Sequence, residues 1–400
     1  MDLLLIFAVT LMLAVLISAL AQRTVLSTSV LFLAAGLLAG RGVFGSLPAV
    51  PLGFLRSLAE LALFSVLFTD GMRAGGEPAP ARTRGLVLRA LALAMPLTVI
   101  GIAAAAHWML DMSWVAGLLI GAVLSPTDPI FISAIFHFKA VPYRLQRLLN
   151  LESGINDGMA LPLVLIFLSE MAAQPAHLAL IVLELAAGVG LGVVIPWIGI
   201  RLEASRFFGA AGALQPLNAF ALGLLVLAIS WPTGANIFLA AFAAGVTVAR
   251  LSPEVRRSFE GFGASFTELL KLAAILIFGL ELAPNLLRPL SWAEVIFILL
   301  ALAGVRMAAM EISLWGSVLT RGERLAVGWF GPKGFGSVVY GLMILELATP
   351  LADRLVHLAG ITIMLSIVVY SSTDILVARA FERRSHGRGD GDAHQRKSGG

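Results

Sequence analysis

Apolar runs long enough to cross a bilayer recur from one end of this chain to the other, at roughly 3–20, 26–40, 54–72, 86–107, 114–137, 146–171, 177–200, 213–231, 235–250, 262–281, 292–318, 324–346 and 356–379. Such runs need lipid around them, because no soluble core of ordinary size can cover so many apolar helices. The composition agrees: of 400 residues, 59% are hydrophobic and 13% charged, with a mean hydropathy of +0.93. The expected fold is therefore an all-α polytopic membrane protein of about thirteen transmembrane helices. The second and ninth runs are short, so the count spans twelve to fourteen. The runs and their connections predict one membrane domain over 1–381 and a disordered, charged, Gly-rich cytoplasmic tail over 382–400. No basic segment or small-residue cleavage site precedes the first run, so the first helix is expected to stay.

A net charge of +4 does not point to a nucleic-acid partner here, since the basic residues sit singly or in small groups between apolar runs. They read as topology signals. With the amino terminus outside, the inner loops and the tail collect groups such as Arg82, Arg84 and Arg89, Arg144 and Arg147, Arg256 and Arg257, and Arg383 and Arg384. The outer loops hold only Arg41, Arg56, Arg288 and Arg354, an inside-positive balance that favours this orientation.

Cysteine is absent, which removes disulfides, thiolate metal sites and cysteine nucleophiles. The six histidines show no ligand spacing. Gly331-Pro-Lys-Gly334 lacks the Ser/Thr and the spacing of a phosphate loop, no Ser/His pair is suitably placed, and the acids at 128 and 157 lack the setting of an aspartic protease. No enzyme and no cofactor are expected.

Charges inside the runs are costly, about 2.5–3.5 kcal/mol each on insertion scales, and are functional candidates by default. Asp70 closes the third run, Asp128 lies in the fifth, Glu152 and Asp157 in the sixth, Lys271 in the tenth, Arg306 in the eleventh and Lys333 in the twelfth. Ser125-Pro-Thr-Asp-Pro129 interrupts the fifth run and Gly331-Pro-Lys-Gly334 the twelfth. Prolines there free backbone groups that hydrocarbon does not tolerate, so the breaks are expected to line a cavity. Thr127 then offers a carbonyl and a hydroxyl to a cation, and Asp128 neutralises the positive ends of half-helices; a plain proline kink is the alternative. The breaks fall in the fifth member of each of two six-helix sets. A single helix between the sets inverts the second, giving two inverted repeats with an ion site at midplane.

In the sixth run Glu152 and Asn156 share a helical face and Asp157 turns further round. Arg306, in an otherwise apolar run, is the natural permanent partner of Glu152. Asp157 is left to hold either a proton or a small cation, which is the chemistry of antiport. Asp70 either joins this site or meets the interface. Lys333 is expected to balance the dipoles of the broken twelfth helix, and Glu184 and Lys271 to be packed, snorkelling or vestibule-lining.

These residues resemble the sodium/proton antiporter branch of the cation:proton antiporters, which includes bacterial sodium/proton antiporters and animal sodium/hydrogen exchangers. Ser125-Pro-Thr-Asp-Pro129 and Glu152-Ser-x-x-Asn-Asp157 carry the resemblance most specifically. Leu67-Phe-Thr-Asp-Gly-Met72, the stretch from Gly234 to Gly245, Arg306 and Gly331-Pro-Lys-Gly334 agree more weakly. The resemblance implies thirteen helices with crossed broken helices, a homodimer, and an elevator-like or rocking motion in a bacterial inner membrane. It implies that Asp157 carries cation and proton, that Thr127 and Ser153 supply oxygen ligands to the monovalent cation, and that Glu152 and Arg306 form a structural ion pair. Asp128, Asn156 and Asp70 complete the expected binding set. Asn156 stands where electrogenic relatives have a second aspartate, which implies an electroneutral one-for-one exchange. The expected cargo is sodium or lithium against protons, with potassium as the alternative because hard oxygen ligands alone do not fix ion size. An ion channel or a non-transporting sensor is the reading from another class. Two departures stand out: Lys333 occupies a place where the family commonly has arginine, losing the planar fork, and the tail is too short for the regulatory domains of the animal exchangers.

Overall fold

A computed structural model of the chain describes residues 2–21, 28–40, 51–76, 80–128, 141–172, 178–205, 214–286, 288–345, 347, 349–370 and 373. The expected tail at 382–400 and the second half of the fifth run, from Pro129, lie outside these residues. The helices are α1 (Asp2–Ala21), α2 (Thr28–Ala39), α3 (Leu52–Gly75), α4 (Ala81–Leu110), α5 (Trp114–Leu124), α6 (Tyr143–Met171) and α7 (Leu178–Glu203). They continue with α8 (Gln215–Thr233), α9 (Ile237–Leu251), α10 (Pro253–Leu286), α11 (Trp292–Ser313), α12 (Arg321–Trp329), α13 (Phe335–Leu345) and α14 (Pro350–Tyr370). Each expected run overlaps a described helix. Seven of these helices are long and apolar enough to cross a bilayer, and five shorter apolar segments accompany them.

Local chemistry sets the ends. Ser113 caps α5 by accepting the Ala116 N–H at 3.2 Å, and Asn236 caps α9 by accepting that of Leu239 at 2.9 Å. Ser291 with Glu294, and Thr320 with Glu323, form reciprocal capping boxes that start α11 and α12. Several boundaries differ from expectation, two of them for a visible local reason. α10 begins at Pro253 rather than near 262, because its polar first turns hold together through pairs such as Arg256 with Glu260 at 2.8 Å. α11 stops at Ser313 rather than near 318, where the chain turns through Gly316 at φ +68°.

Helices in lipid gain little from hiding apolar surface from one another, so close association needs small residues at the contact. Gly36 of α2 lies against the backbone of α10 at Leu276, and Gly279 of α10 against Leu33 of α2. In the same way Gly71 of α3 meets α9 at Phe242, and Gly245 of α9 meets α3 at Phe68. A Cβ at any of these four would run into main chain. α4 and α11 share another device, a π-helical turn at Ala90–Ala94 and at Leu300–Gly304. Side-chain hydroxyls donate to a carbonyl of each turn: Thr98 to that of Ala94 at 2.8 Å, four residues back along its own helix, and Tyr370 to that of Leu302 at 2.7 Å.

The described parts of the two proline-broken regions meet at a crossing. α5 ends at Leu124, α12 ends at Trp329 and α13 restarts at Phe335, and between them Thr127 and Lys333 form an antiparallel backbone bridge. The Asp128 N–H donates to the Pro332 carbonyl at 3.0 Å, and the Lys333 N–H to the Ser366 hydroxyl of α14 at 2.6 Å. Two backbone N–H groups at the breaks are thus satisfied, one by a carbonyl of the other broken region and one by a serine.

Candidate ion site

α6 carries the acids past this crossing. Glu152 and Arg306, each at most 3% exposed, face one another through two hydrogen bonds of 2.9 Å. The fork geometry satisfies both carboxylate oxygens, which is what makes a charge pair tolerable at this depth. Gly331 leaves the space that the Arg306 side chain fills.

One turn on, the Asn156 amide donates to the Thr127 hydroxyl at 2.8 Å, and that hydroxyl lies 3.3 Å from the Ser153 hydroxyl. Ser153 and Asp157, four residues apart, share a side of α6. The expected oxygen donors Thr127 and Ser153 are therefore brought together on the side of α6 that carries Asp157. Asp157 itself is 3% exposed, and its Oδ1 has no hydrogen-bond partner among the described residues. Its surroundings are close. A Cβ on Gly336 would sit 3.0 Å from the carboxylate, and the Tyr340 hydroxyl donates to the Asp157 backbone carbonyl at 2.8 Å.

Asp128 has a partner that its local sequence does not suggest: its Oδ2 accepts a hydrogen bond from the Lys271 ammonium at 3.1 Å, with both side chains buried. A full charge at this distance makes a buried carboxylate tolerable. Asp70, at the end of α3, accepts from Arg73 at 3.2 Å and is 15% exposed. Asp70, Asp128 and Lys271 line one open cavity of about 390 Å³, together with Thr69, Thr267 and Glu268. Asp70 thus belongs to the approach to the site. Lys333 is fully buried at the crossing, and its ammonium has no hydrogen-bond partner among the described residues; Arg306 and Glu152 are the charges that act on it. Glu184 stands apart on α7, where its backbone carbonyl accepts the Asn236 N–H at 2.9 Å.

Sequence reasoning did not find the Lys271–Asp128 pair, the Tyr340 contact or the Ser366 contact. A lysine inside an apolar stretch was the visible signal for the first; the other two carry none, since one tyrosine and one serine in apolar helices are unremarkable. Among the described residues no cluster of three or more His, Asp and Glu side chains forms a metal centre. The oxygen groups on this side of α6 are the Asp157 carboxylate and, one helical turn earlier, the Ser153 hydroxyl with that of Thr127 beside it.

The family described as "sodium/hydrogen exchanger, transmembrane" matches residues 9–378. The chain is 25% identical over 379 residues to the K(+)/H(+) antiporter NhaP2 of Shewanella sp. (strain ANA-3), covering 92% of this chain and 64% of the relative. It is 29% identical over 373 residues to the K(+)/H(+) antiporter NhaP of Alkalimonas amylolytica, covering 87% and 61%. With the Na(+)/H(+) antiporter NhaH of Halobacillus dabanensis it shares 25% over 297 residues, covering 68% and 70%. The chain thus spans less than two thirds of the length of the first two. In fold it is similar to the sodium proton antiporter MjNhaP1 from Methanocaldococcus jannaschii at pH 8, with a TM-score of 0.75, 16% identity and coverage of 94% and 99%.

Proposed function

The chain belongs to the transmembrane sodium/hydrogen exchanger family, and from that premise we propose that it exchanges a monovalent alkali cation for a proton, with Asp157 as the shared carrier. One observation carries the reading. Of the four acids around the crossing, Glu152, Asp128 and Asp70 each have a basic side chain in contact, whereas the Asp157 Oδ1 has no partner among the described residues. An acid left open in a buried place binds a proton or a cation, and binding one expels the other. Asn156 adds no second charge, so one cation exchanges for one proton and no net charge moves. Lys333 balances the negative C-terminal end of α12 at the break.

Alternating access needs two sides. The cavity at Asp70 and Glu268 lies at the end of the molecule marked by Arg73, which the basic-residue balance assigns to the cytoplasm. The described conformation is then open inward, with the amino terminus outside. Thirteen spans in two inverted halves fit the packing: α2 pairs with α10 as α9 pairs with α3, and π turns occur in the fourth member of each set. A homodimer in a bacterial inner membrane is the assembly that the family resemblance implies.

Two readings of the ion compete. Sodium follows the family's description and the name of the Halobacillus relative, and lithium, a smaller alkali cation, is read with it; potassium follows the names of the Shewanella and Alkalimonas relatives. Everted vesicles containing the chain should dequench a pH dye on addition of at least one of sodium, lithium, potassium or rubidium, compared at two pH values. No response to any of the four would defeat the antiport reading.

A further inference from the structure

Lys271 is the one described basic side chain on the wall of the cavity that is 1% exposed, and its role in exchange is open. Its ammonium is 3.1 Å from Asp128 and 4.0 Å from Glu268, and Asp70 also acts on it. The helix beneath it is fixed: Thr267, one turn earlier on α10, meets the Thr69 hydroxyl of α3 at 3.0 Å. Lys271 also lies within electrostatic reach of the Asp157 carboxylate. A cation that enters through the cavity therefore passes an ammonium already in place beside the second acid of the crossing.

We propose that Lys271 is a specificity-determining residue, a tethered cation that occupies Asp128, keeps that acid out of the exchange and sets how tightly the site holds its cargo. The inference rests on the antiport reading. Asp128 and Asp157 together, without a fixed cation, would attract an entering cation as a pair of negative charges. With Lys271 bound to Asp128, the entering ion meets one net charge. Weak binding of this kind suits a carrier that must release its cargo on every cycle.

The sign of the effect makes it testable. Lys271→Gln removes the ammonium, takes that cation away from Asp128 and lowers the apparent KM for the transported cation about threefold or more. Asp128→Asn leaves the ammonium with the more distant Glu268, at 4.0 Å, and raises that KM. A buried charge without its partner can prevent folding, so the decisive comparison is Asp128→Asn against the double variant Asp128→Asn/Lys271→Gln, in which neither charge remains. Loss of the ammonium in that background lowers the apparent KM. The same order is read without turnover from the cation concentration that half-maximally raises the Tm of the purified protein. Lys271→Arg, which keeps the charge, stays nearer the parent than Lys271→Gln does. A merely structural ion pair would change protein yield and maximal rate but leave cation affinity where it was. Equal affinities in the two Asp128→Asn backgrounds, or a shift in the opposite direction, would overturn the proposal. If the parent exchanges normally while those signs are missing, only this inference fails; if the parent moves no cation, the antiport reading fails with it.

Discussion

Arg306 reaches across from α11 to meet Glu152 of α6 through two parallel hydrogen bonds of 2.9 Å, and neither side chain is more than 3% exposed. The pair closes one face of α6 and leaves the next turn, with Asn156 and Asp157, to the crossing. Removing one member strands the other in a medium that solvates it poorly. Arg306→Ala should therefore destabilise the protein by about 3–5 kcal/mol. Arg306→Lys should lose part of that amount, because a lysine cannot reproduce the fork. Thermal unfolding in detergent, with the Glu152→Gln/Arg306→Gln double variant alongside, checks this. The double variant should cost less than the two single changes added together.

Asn156 donates to Thr127 at 2.8 Å and supplies no charge. Asn156→Asp places a second carboxylate beside Asp157 and should convert a silent exchange into one that moves charge. Proteoliposomes adsorbed on a solid-supported membrane should give no transient current with the parent on a cation jump, and a current with the variant. A parent that already produces the current would refute the one-for-one stoichiometry.

Gly336 lies so near Asp157 that an added Cβ would be 3.0 Å from the carboxylate. Gly336→Ala should fold, since the crowding falls on one side chain, but it should narrow the space for a cation. A rise in apparent KM of about tenfold is expected, equivalent to about 1.4 kcal/mol of lost binding. Gly341→Ala is the control, because nothing lies within 4 Å of a Cβ there. Equal KM values in the two variants would show that the space beside Asp157 is not used.

The absence of cysteine makes accessibility mapping direct. Ser265→Cys, on the cavity wall, should react with a membrane-impermeant maleimide in everted vesicles and not in intact cells. The reverse pattern would place the cavity outside and invert the proposed topology.

Much of this arrangement was legible before any coordinates. Apolar runs located the helices, prolines located the two breaks, and two acids in one apolar run, Glu152 and Asp157, singled out α6. Arg306 could be matched to Glu152 because an arginine in an apolar stretch has few alternatives. Partner choice among several buried charges was not legible: Lys271 and Asp128 are 143 residues apart in sequence, and nothing local distinguishes a lysine that snorkels from one that reaches a carboxylate. The helix pairings were partly written in the four-residue spacing of Gly71 and Gly75, but that spacing marks a contact face without saying which helix fills it. The π turns left no sequence signature, since Ala90-Leu-Ala-Leu-Ala94 and Leu300-Ala-Leu-Ala-Gly304 read as ordinary helix.

Proton release on cation binding tests most directly whether one carboxylate serves both ions. Purified protein in weakly buffered detergent, held at a pH where the site is protonated, is given the cation that the vesicle assay selects, and the liberated protons are counted with a pH dye. About one proton per bound cation is expected from the parent, and none from Asp157→Asn, which keeps the shape of the side chain but cannot exchange a proton. Undiminished proton release by Asp157→Asn would contradict the assignment and move the exchange to another group.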